Sequence, residues 1–356
     1  MSEVVWKTLG DICNIMNGKD YKKEGDGEVP VYGSGGIMTY IDKAMSSKPS
    51  VLLPRKGSLN NVFYVDTPFW TVDTIYWTDI KDNTVPKYFY YYMTTINLEA
   101  MNIATGAVPS MTKAILNKIV IPVPKDPHRQ KQIVNQLDTF TSLISHLESE
   151  LELRQKQYEH YREELLSFEG DKEVEWKTLG DIGDVAMCKR IFKEQTQPQG
   201  EIPFYKIGTF GKTADAFISR ELYEDFRSKY KYPKIGDILM SASGSIGRTV
   251  VYDGSDAYYQ DSNIVWIEND ESIVSNKFLR LIYSITKWNV DNGGVIARLY
   301  NKNIRSTIIP IPRKNRQQQI VDKLDMFEQL IAALKREIAL RKKQYAYYRD
   351  KLLTFE

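Results

Sequence analysis

The sequence predicts an α+β chain written twice: a mixed α/β module, a long helix, a second module and a second long helix. Three observations lead there. VVWKTLGDI at 4–12 returns as VEWKTLGDI at 174–182, with eight of nine residues identical. The stretch 129–169 returns as 316–356, with 23 of 41 residues identical. Both copies of that stretch carry a 4-3-4-3 step without a slip, apolar at every position but one, the seam of a coiled-coil helix. These markers divide the 356 residues into a module at 1–125, a helix at 126–169, a module at 170–313 and a helix at 314–356.

Each module opens on the shared nonapeptide. GEVPVY (27–32) in the first then faces GEIPFY (200–205) in the second. VPVYGSGG, PSVLLPRKGSLNNVFYV and FWTVDTIYWTDI read as short strands broken by Gly, Pro and Asn turns. TVDTIYW (71–77) faces QDSNIVW (260–266). PKYFYYYMTTINLEAM (86–101) and SNKFLRLIYSITKW (275–288) read as one helix in each module. IVIPVP (119–124) and IIPIP (308–312) close the modules.

The long helices follow. In the first, the seam runs from Ile133, Leu137, Phe140 and Ile144 to Tyr161, Leu165 and Phe168. In the second it runs from Ile320, Leu324, Phe327 and Ile331 to Tyr348, Leu352 and Phe355. Neither contains an internal Gly or Pro. Pro124, Pro127 and Pro312 stand where proline suits a helix start, and Gly170 suits the first helix's stop. Residues 126–169 carry net −4 and 314–356 net +4, which favours pairing of the two helices with each other, although exposed ion pairs are individually weak. Arg154 and Arg341 interrupt the seam at the same place, each four residues after a glutamate, Glu150 or Glu337. Each arginine either snorkels out of the seam or sets its register.

Composition bounds the function. Hydrophobic residues at 42% and charged residues at 26% exclude a disordered tail. The opening MSEVVWKTLGD lacks the basic and apolar regions of a secretion signal. No run approaches the roughly 18 apolar residues of a membrane span. A cytoplasmic protein is the expectation. Two cysteines and three histidines cannot build a disulfide scaffold or a cysteine-rich zinc site. The net charge of +2 is close to balance, so DNA binding by the isolated chain is expected to be weak.

Motifs for chemistry are missing. No Asn/Asp-Pro-Pro-aromatic run of the amino-methyltransferase type occurs. Gly211-Lys212-Thr213 resembles the end of a phosphate-binding loop, but Lys206 stands where its first glycine belongs. Gly33-Ser34-Gly35-Gly36 lacks GxGxxG spacing and reads as a strand-ending turn. His128, His146 and His160 form no i, i+4 metal pair; His146 and His160 fall off the seam and read as solvated surface. Tyr88–Tyr92 read as core rather than as a base-stacking platform. This is the profile of a binding protein, not an enzyme.

Two variable modules separated by two near-copies of a long helix resemble the specificity subunit of type I DNA restriction-modification systems. The resemblance covers essentially the whole chain. It rests on the W-K-T-L-G-D-I openings, the I-P-x-P-to-helix junctions with RQKQIVNQLD and RQQQIVDKLD, and SGSIGR at 243–248. It implies two target-recognition domains, each reading half of a split, asymmetric site in double-stranded DNA. It also implies a pseudo-two-fold repeat with the helices as an antiparallel intramolecular spacer. Two methyltransferase subunits bind such a chain, and restriction subunits join for cleavage. The implied S-adenosylmethionine, ATP and Mg belong to those partners, with no cofactor in this chain.

Two surfaces follow. Leucines that lie off the seam yet recur, Leu143/Leu330, Leu153/Leu340 and Leu166/Leu353, serve either packing against the neighbouring module or docking of the methyltransferase. Base readout needs Arg, Lys, Asn, Gln, Ser or Thr on loops beside strands. PRKGSLNN (54–61) matches SASGSIGR (241–248), TGAVPSMTK (105–113) matches GGVIARLYNK (293–302), and GKDYKK (18–23) matches CKRIFK (188–193). The candidates are Arg55, Lys56, Asn60 and Asn61 in one module, and Lys189, Arg190, Arg248 and Arg298 in the other; a solvated charge or phosphate contact is the alternative for each basic one. The rival readings are a coiled-coil scaffold whose modules bind proteins, and a recognition subunit of a methylation-only or phage-defence system.

Overall fold

The computed structural model describes residues 3–81, 83–101, 109–290 and 298–355. The first copy runs β1 (Val4–Thr8), α1 (Leu9–Ile12), β2 (Cys13–Asn17), β3 (Asp26–Gly33), β4 (Gly36–Ile41), β5 (Ser50–Pro54), β6 (Phe63–Val65), β7 (Trp70–Thr71), β8 (Ile75–Ile80), α2 (Pro86–Met93), α3 (Lys113–Asn117), β9 (Val120–Pro124) and α4 (Pro127–Leu165). The second runs β10 (Glu175–Thr178), β11 (Val185–Ala186), β12 (Ile202–Tyr205), β13 (Phe217–Ile218), α5 (Arg220–Lys229), β14 (Ile238–Ser241), β15 (Thr249–Val251), β16 (Tyr258–Tyr259), β17 (Ile264–Ile267), α6 (Asn276–Ile285), α7 (Asn301–Arg305), β18 (Ile308–Ile311) and α8 (Lys314–Leu353).

Strand order repeats with the sequence. Each module has a two-stranded, a four-stranded and a three-stranded sheet. In the first these are β1-β9, β2-β8-β5-β6 and β4-β3-β7; in the second, β10-β18, β11-β17-β14-β15 and β13-β12-β16. The parallel pair recurs as well, β3 with β7 and β12 with β16. The repeated openings form the first strand of the two-stranded sheet, pairing Trp6 with Pro122 and Trp176 with Pro310. Thr8 and Thr178 end these strands, and the Asp11 and Asp181 carboxylates accept from their backbone N–H groups at 3.0 and 2.8 Å.

The helices expected over 86–101 and 275–288 are shorter, ending at Met93 and Ile285. At the first stop the Thr94 and Thr95 hydroxyls donate to the Tyr91 and Tyr92 carbonyls, satisfying two acceptors of the last turn. Tyr88, Phe89 and Tyr91 are buried, as core residues should be.

The chain divides into two compact units, Met1–Glu150 with Leu334–Glu356, and Leu151–Ala333. Each unit takes a module together with parts of both long helices, and in each the helix parts run antiparallel. In the first unit Phe140 stacks on Tyr348 at 5.3 Å between ring centres, and Lys342 reaches Glu148 at 2.7 Å. In the second Phe327 stacks on Tyr161, again at 5.3 Å, and Tyr158 donates to Glu328 at 2.8 Å. The two ring pairs are repeat counterparts, so one helix–helix contact is made twice. Such a pair contributes about 0.5–1.5 kcal/mol beyond its buried area.

The seam residues of both helices are buried or half-buried apart from Tyr348, while His146 and His160 are exposed. Arg341 bonds Glu337 at 2.7 Å and Gln344 at 2.8 Å, and Arg154 bonds Gln157 at 2.7 Å, so both seam arginines are tied along their own helices.

One polar residue at the start of each helix is buried, Gln130 and Gln317. Gln130 accepts from Val85 N–H at 2.7 Å and donates to the Asn83 and Pro124 carbonyls at 3.0 and 2.9 Å. Gln317 accepts from Ser275 N–H at 3.0 Å and donates to the Ile273 and Pro312 carbonyls at 3.0 and 2.9 Å. Each amide locks the start of a long helix to the end of the last strand segment and to the residues that lead into the helix of its own module.

Candidate nucleic-acid interface

The first loop pair matched in sequence folds alike, and the described end of the second meets it in the same way in both modules. Gly57 and Gly244 both sit in left-handed backbone, at φ +82° and +66°, which turns each loop sharply after its strand. The bridge between Lys56 and Ser110 in the first module recurs between Ser243 and Arg298 in the second. Met111 N–H donates to the Arg55 carbonyl, and Leu299 N–H to that of Ala242, both at 2.8 Å. The third loop reaches the same place: Lys19 N–H donates to the Thr71 carbonyl at 2.8 Å, and Arg190 Nε to the Asp261 carboxylate at 2.8 Å. Three loops per module therefore converge on the turn before β8 or β17. Residues 105–108 and 293–297 of the second loop pair lie outside the described residues.

Side chains at this cluster divide by what already holds them. Asn60 is committed to Glu99, donating to its carboxylate and accepting from its N–H, both at 3.2 Å. Asn61 donates to the Ser34 carbonyl at 2.9 Å, drawing in the Gly33–Gly36 turn, which sequence reading had set apart. Arg248 donates to the Phe210 carbonyl at 3.0 Å and to Ser245 Oγ at 2.8 Å, so its guanidinium ties its own loop to the turn after β12. Lys56 lies 3.6 Å from the exposed Asp73 carboxylate, and Lys189 lies 5.1 Å from the centre of the Tyr230 ring. Arg55 Nη1 donates to the Asp73 carbonyl at 3.1 Å, and Arg298 Nη2 to the Ser262 carbonyl at 3.3 Å. The result is a platform at strand ends carrying guanidinium and ammonium donors, the chemistry suited to phosphates and base edges.

The recurrent leucines split. Leu166 and Leu353 are each 4% exposed, packed in the cores of their own units with the module helices α6 and α2. Burial gives these two to packing within their units, with little surface left to offer a partner. Leu143 and Leu330 are 38% and 39% exposed, and Leu153 and Leu340 are also exposed.

Sequence reading missed Trp6 and Trp176, which are 57% and 55% exposed in the repeated openings. Beside Trp6 lies a groove of about 460 Å³ lined by Tyr92, Thr95, Leu353 and Phe355. Beside Trp176 lies one of about 480 Å³ lined by the counterparts Ile282, Ile285, Leu166 and Phe168. The signal was available, since tryptophan recurs where the strand pattern gives it no need to be buried.

Gly211-Lys212-Thr213 sits in a turn with no helix behind it, so it is not a phosphate-binding loop. Burial pushes both Cys13 and Cys188 up to about 12, which keeps them as thiols at neutral pH. Among the described residues no cluster of three His, Cys, Asp or Glu could hold a metal ion, and no helix is long and apolar enough to cross a membrane.

Comparison with known proteins gives one consistent answer. Residues 1–153 and 171–340 match the sequence model of the type I restriction modification DNA specificity domain. A putative type I restriction enzyme specificity subunit of Haemophilus influenzae is 44% identical, over 99% of this chain and 96% of its own. The EcoR124I/EcoR124II specificity subunit of Escherichia coli is 31% identical, over 99% and 95%. Among solved structures, the S subunit of a type I system from M. genitalium superimposes with a TM-score of 0.67 at 16% identity, covering 99% of this chain and 96% of that one.

Proposed function

The chain belongs to the type I restriction-modification DNA specificity family, and from that premise we propose that each module reads one half of a split, asymmetric site in double-stranded DNA while the helices set the gap between halves. The observation that carries this is the pair of loop clusters, alike in backbone and unlike in side chains. A shared backbone with different donors suits two half-sites of one geometry and different sequence. The unbroken helices α4 and α8 suit a ruler, because a continuous helix has a fixed rise per residue.

The close copies in this chain suit two copies of one partner. Leu143 with Leu330, Leu153 with Leu340, and Trp6 with Trp176 offer the same exposed apolar groups twice, and two methyltransferase subunits are the partners we assign to them. In this reading the chain itself carries no catalytic centre. S-adenosylmethionine, ATP and Mg act on the methyltransferase and restriction subunits, and the complex works in the cytoplasm.

Single-molecule methylome sequencing of host DNA, with the gene intact and deleted, tests the reading. Loss of a split N6-methyladenine motif on deletion is the expected result and gives both half-sites and the gap. An unchanged methylome, with the partner methyltransferase expressed, would favour a scaffold whose modules bind proteins.

A further inference from the structure

We propose that the backbone carbonyls of Asp73 and Ser262 are equivalent posts, each holding one arginine, Arg55 or Arg298, as a guanine-reading donor of its half-site. This rests on the reading above and sharpens it to one side chain per module.

The two arginines do not arise at equivalent positions. Arg55 follows β5, where the second copy has Ala242; Arg298 lies on the other loop, where the first copy has Ser110. Yet TVDTIYW and QDSNIVW align Asp73 with Ser262, and each guanidinium ends on that residue's carbonyl, at 3.1 and 3.3 Å. Each also lies beside an aromatic ring, Arg55 5.8 Å from the centre of Tyr76 and Arg298 5.7 Å from that of Tyr300. A contact inherited from a common framework would keep its starting position. Here only the end point is kept, which points to where the guanidinium must stand.

The posts are fixed from several sides. Ser262 holds a left-handed backbone at φ +52°, uncommon for a residue other than glycine. Its neighbours are pinned, Asp261 by Arg190 at 2.8 Å and Asn263 by Ser243 at 2.9 Å. In the first module the Thr74 carbonyl accepts from Arg55 and Lys56 N–H at 3.0 and 3.1 Å, and its hydroxyl accepts from Ser34 N–H at 3.3 Å.

One N–H of each guanidinium is spent on its post, and the rest meet no other hydrogen-bond partner among the described residues. A planar fork held in this way has two N–H donors for the O6 and N7 acceptors of guanine. Arg248, with one bond to the Phe210 carbonyl and one to Ser245 Oγ, lacks that freedom.

The test assembles the full chain with its methyltransferase and measures methylation rates on a library of all single-base variants of the recognised site. Arg55→Ala is expected to erase the preference for one guanine in one half-site, by about 5- to 150-fold, and Arg298→Ala to do so in the other half-site alone. Arg55→Lys and Arg298→Lys keep the charge, guard against a folding artefact, and should not restore the preference. A loss spread evenly over the library, recovered by lysine, would mark phosphate contacts and overturn the proposal; so would an unchanged preference. A wild-type complex that methylates no split site would instead overturn the reading beneath it.

Discussion

Replacing Gln130 by alanine takes three hydrogen bonds out of a site closed to water. The amide accepts from Val85 N–H at 2.7 Å and donates to two carbonyls at 3.0 and 2.9 Å. At a net of ~1 kcal/mol for each bond, the substitution costs about 3 kcal/mol. That is a large part of the roughly 5–15 kcal/mol that holds a domain together. Gln317→Ala loses three bonds of similar length and should cost the same. Gln130→Glu separates charge from shape. Its carboxylate still accepts from Val85 but repels both carbonyls, and burial raises its pKa. The variant should therefore be less stable than Gln130→Ala at neutral pH and recover as acidification restores a proton to donate. A chain of two compact units need not unfold in one step, so urea titration should be paired with amide exchange. Gln130→Ala is expected to expose Val85 N–H and leave Ser275 N–H protected, with the converse for Gln317→Ala. A loss below about 1 kcal/mol with Val85 still protected would refute the clamp.

Three further outcomes are expected. Leu143→Glu with Leu330→Glu should release the methyltransferase on a sizing column while the far-ultraviolet dichroism stays unchanged; retained assembly would exclude these leucines from the docking surface. Removing one heptad from each long helix shortens it by about 10 Å, or about three base pairs of DNA, so methylome sequencing should report a shorter gap or no motif, and an unchanged gap would sink the ruler. The Thr8 and Thr178 hydroxyls, bonded to Asp11 and Asp181, hold both carboxyls below their ordinary value of 3.8. A depressed pKa gives stability that is present above that value and lost as pH falls through the lower folded one. Asp11→Asn with Asp181→Asn should therefore flatten the decline in urea midpoint below pH 3.8, and an undiminished decline would show that the caps play no part in it.

Much of the architecture was legible because its signals are local and repeated. A seam residue is recognised by neighbours three and four positions away, and a step kept over five heptads leaves little room for another reading. Burial of Ile133, Leu137, Ile320 and Leu324 follows from that spacing. Loop pairing was also legible, since the Gly57-Ser58 and Gly244-Ser245 alignment led to equivalent left-handed turns. The module helices end at Met93 and Ile285, short of the 86–101 and 275–288 spans that their apolar patterning suggests, because periodicity marks a helix better than it marks the helix end.

By itself the sequence determined the repeat, the heptad helices, the junctions and the absence of familiar catalytic motifs, because periodicity and identity are written along the chain. Only the tertiary structure decided which recurrent leucines are interior, Leu166 and Leu353, and which are surface, Leu143 and Leu330. It alone paired Gln130 with Val85, 45 residues away, and Gln317 with Ser275, 42 away. It alone brought Arg55 and Arg298, from non-equivalent loops, to equivalent carbonyls. The physical reason is that hydrophobic burial follows a pattern with a short period, whereas a hydrogen bond needs one particular partner at about 3 Å in the right direction. Distant segments meet that condition only once the chain has folded.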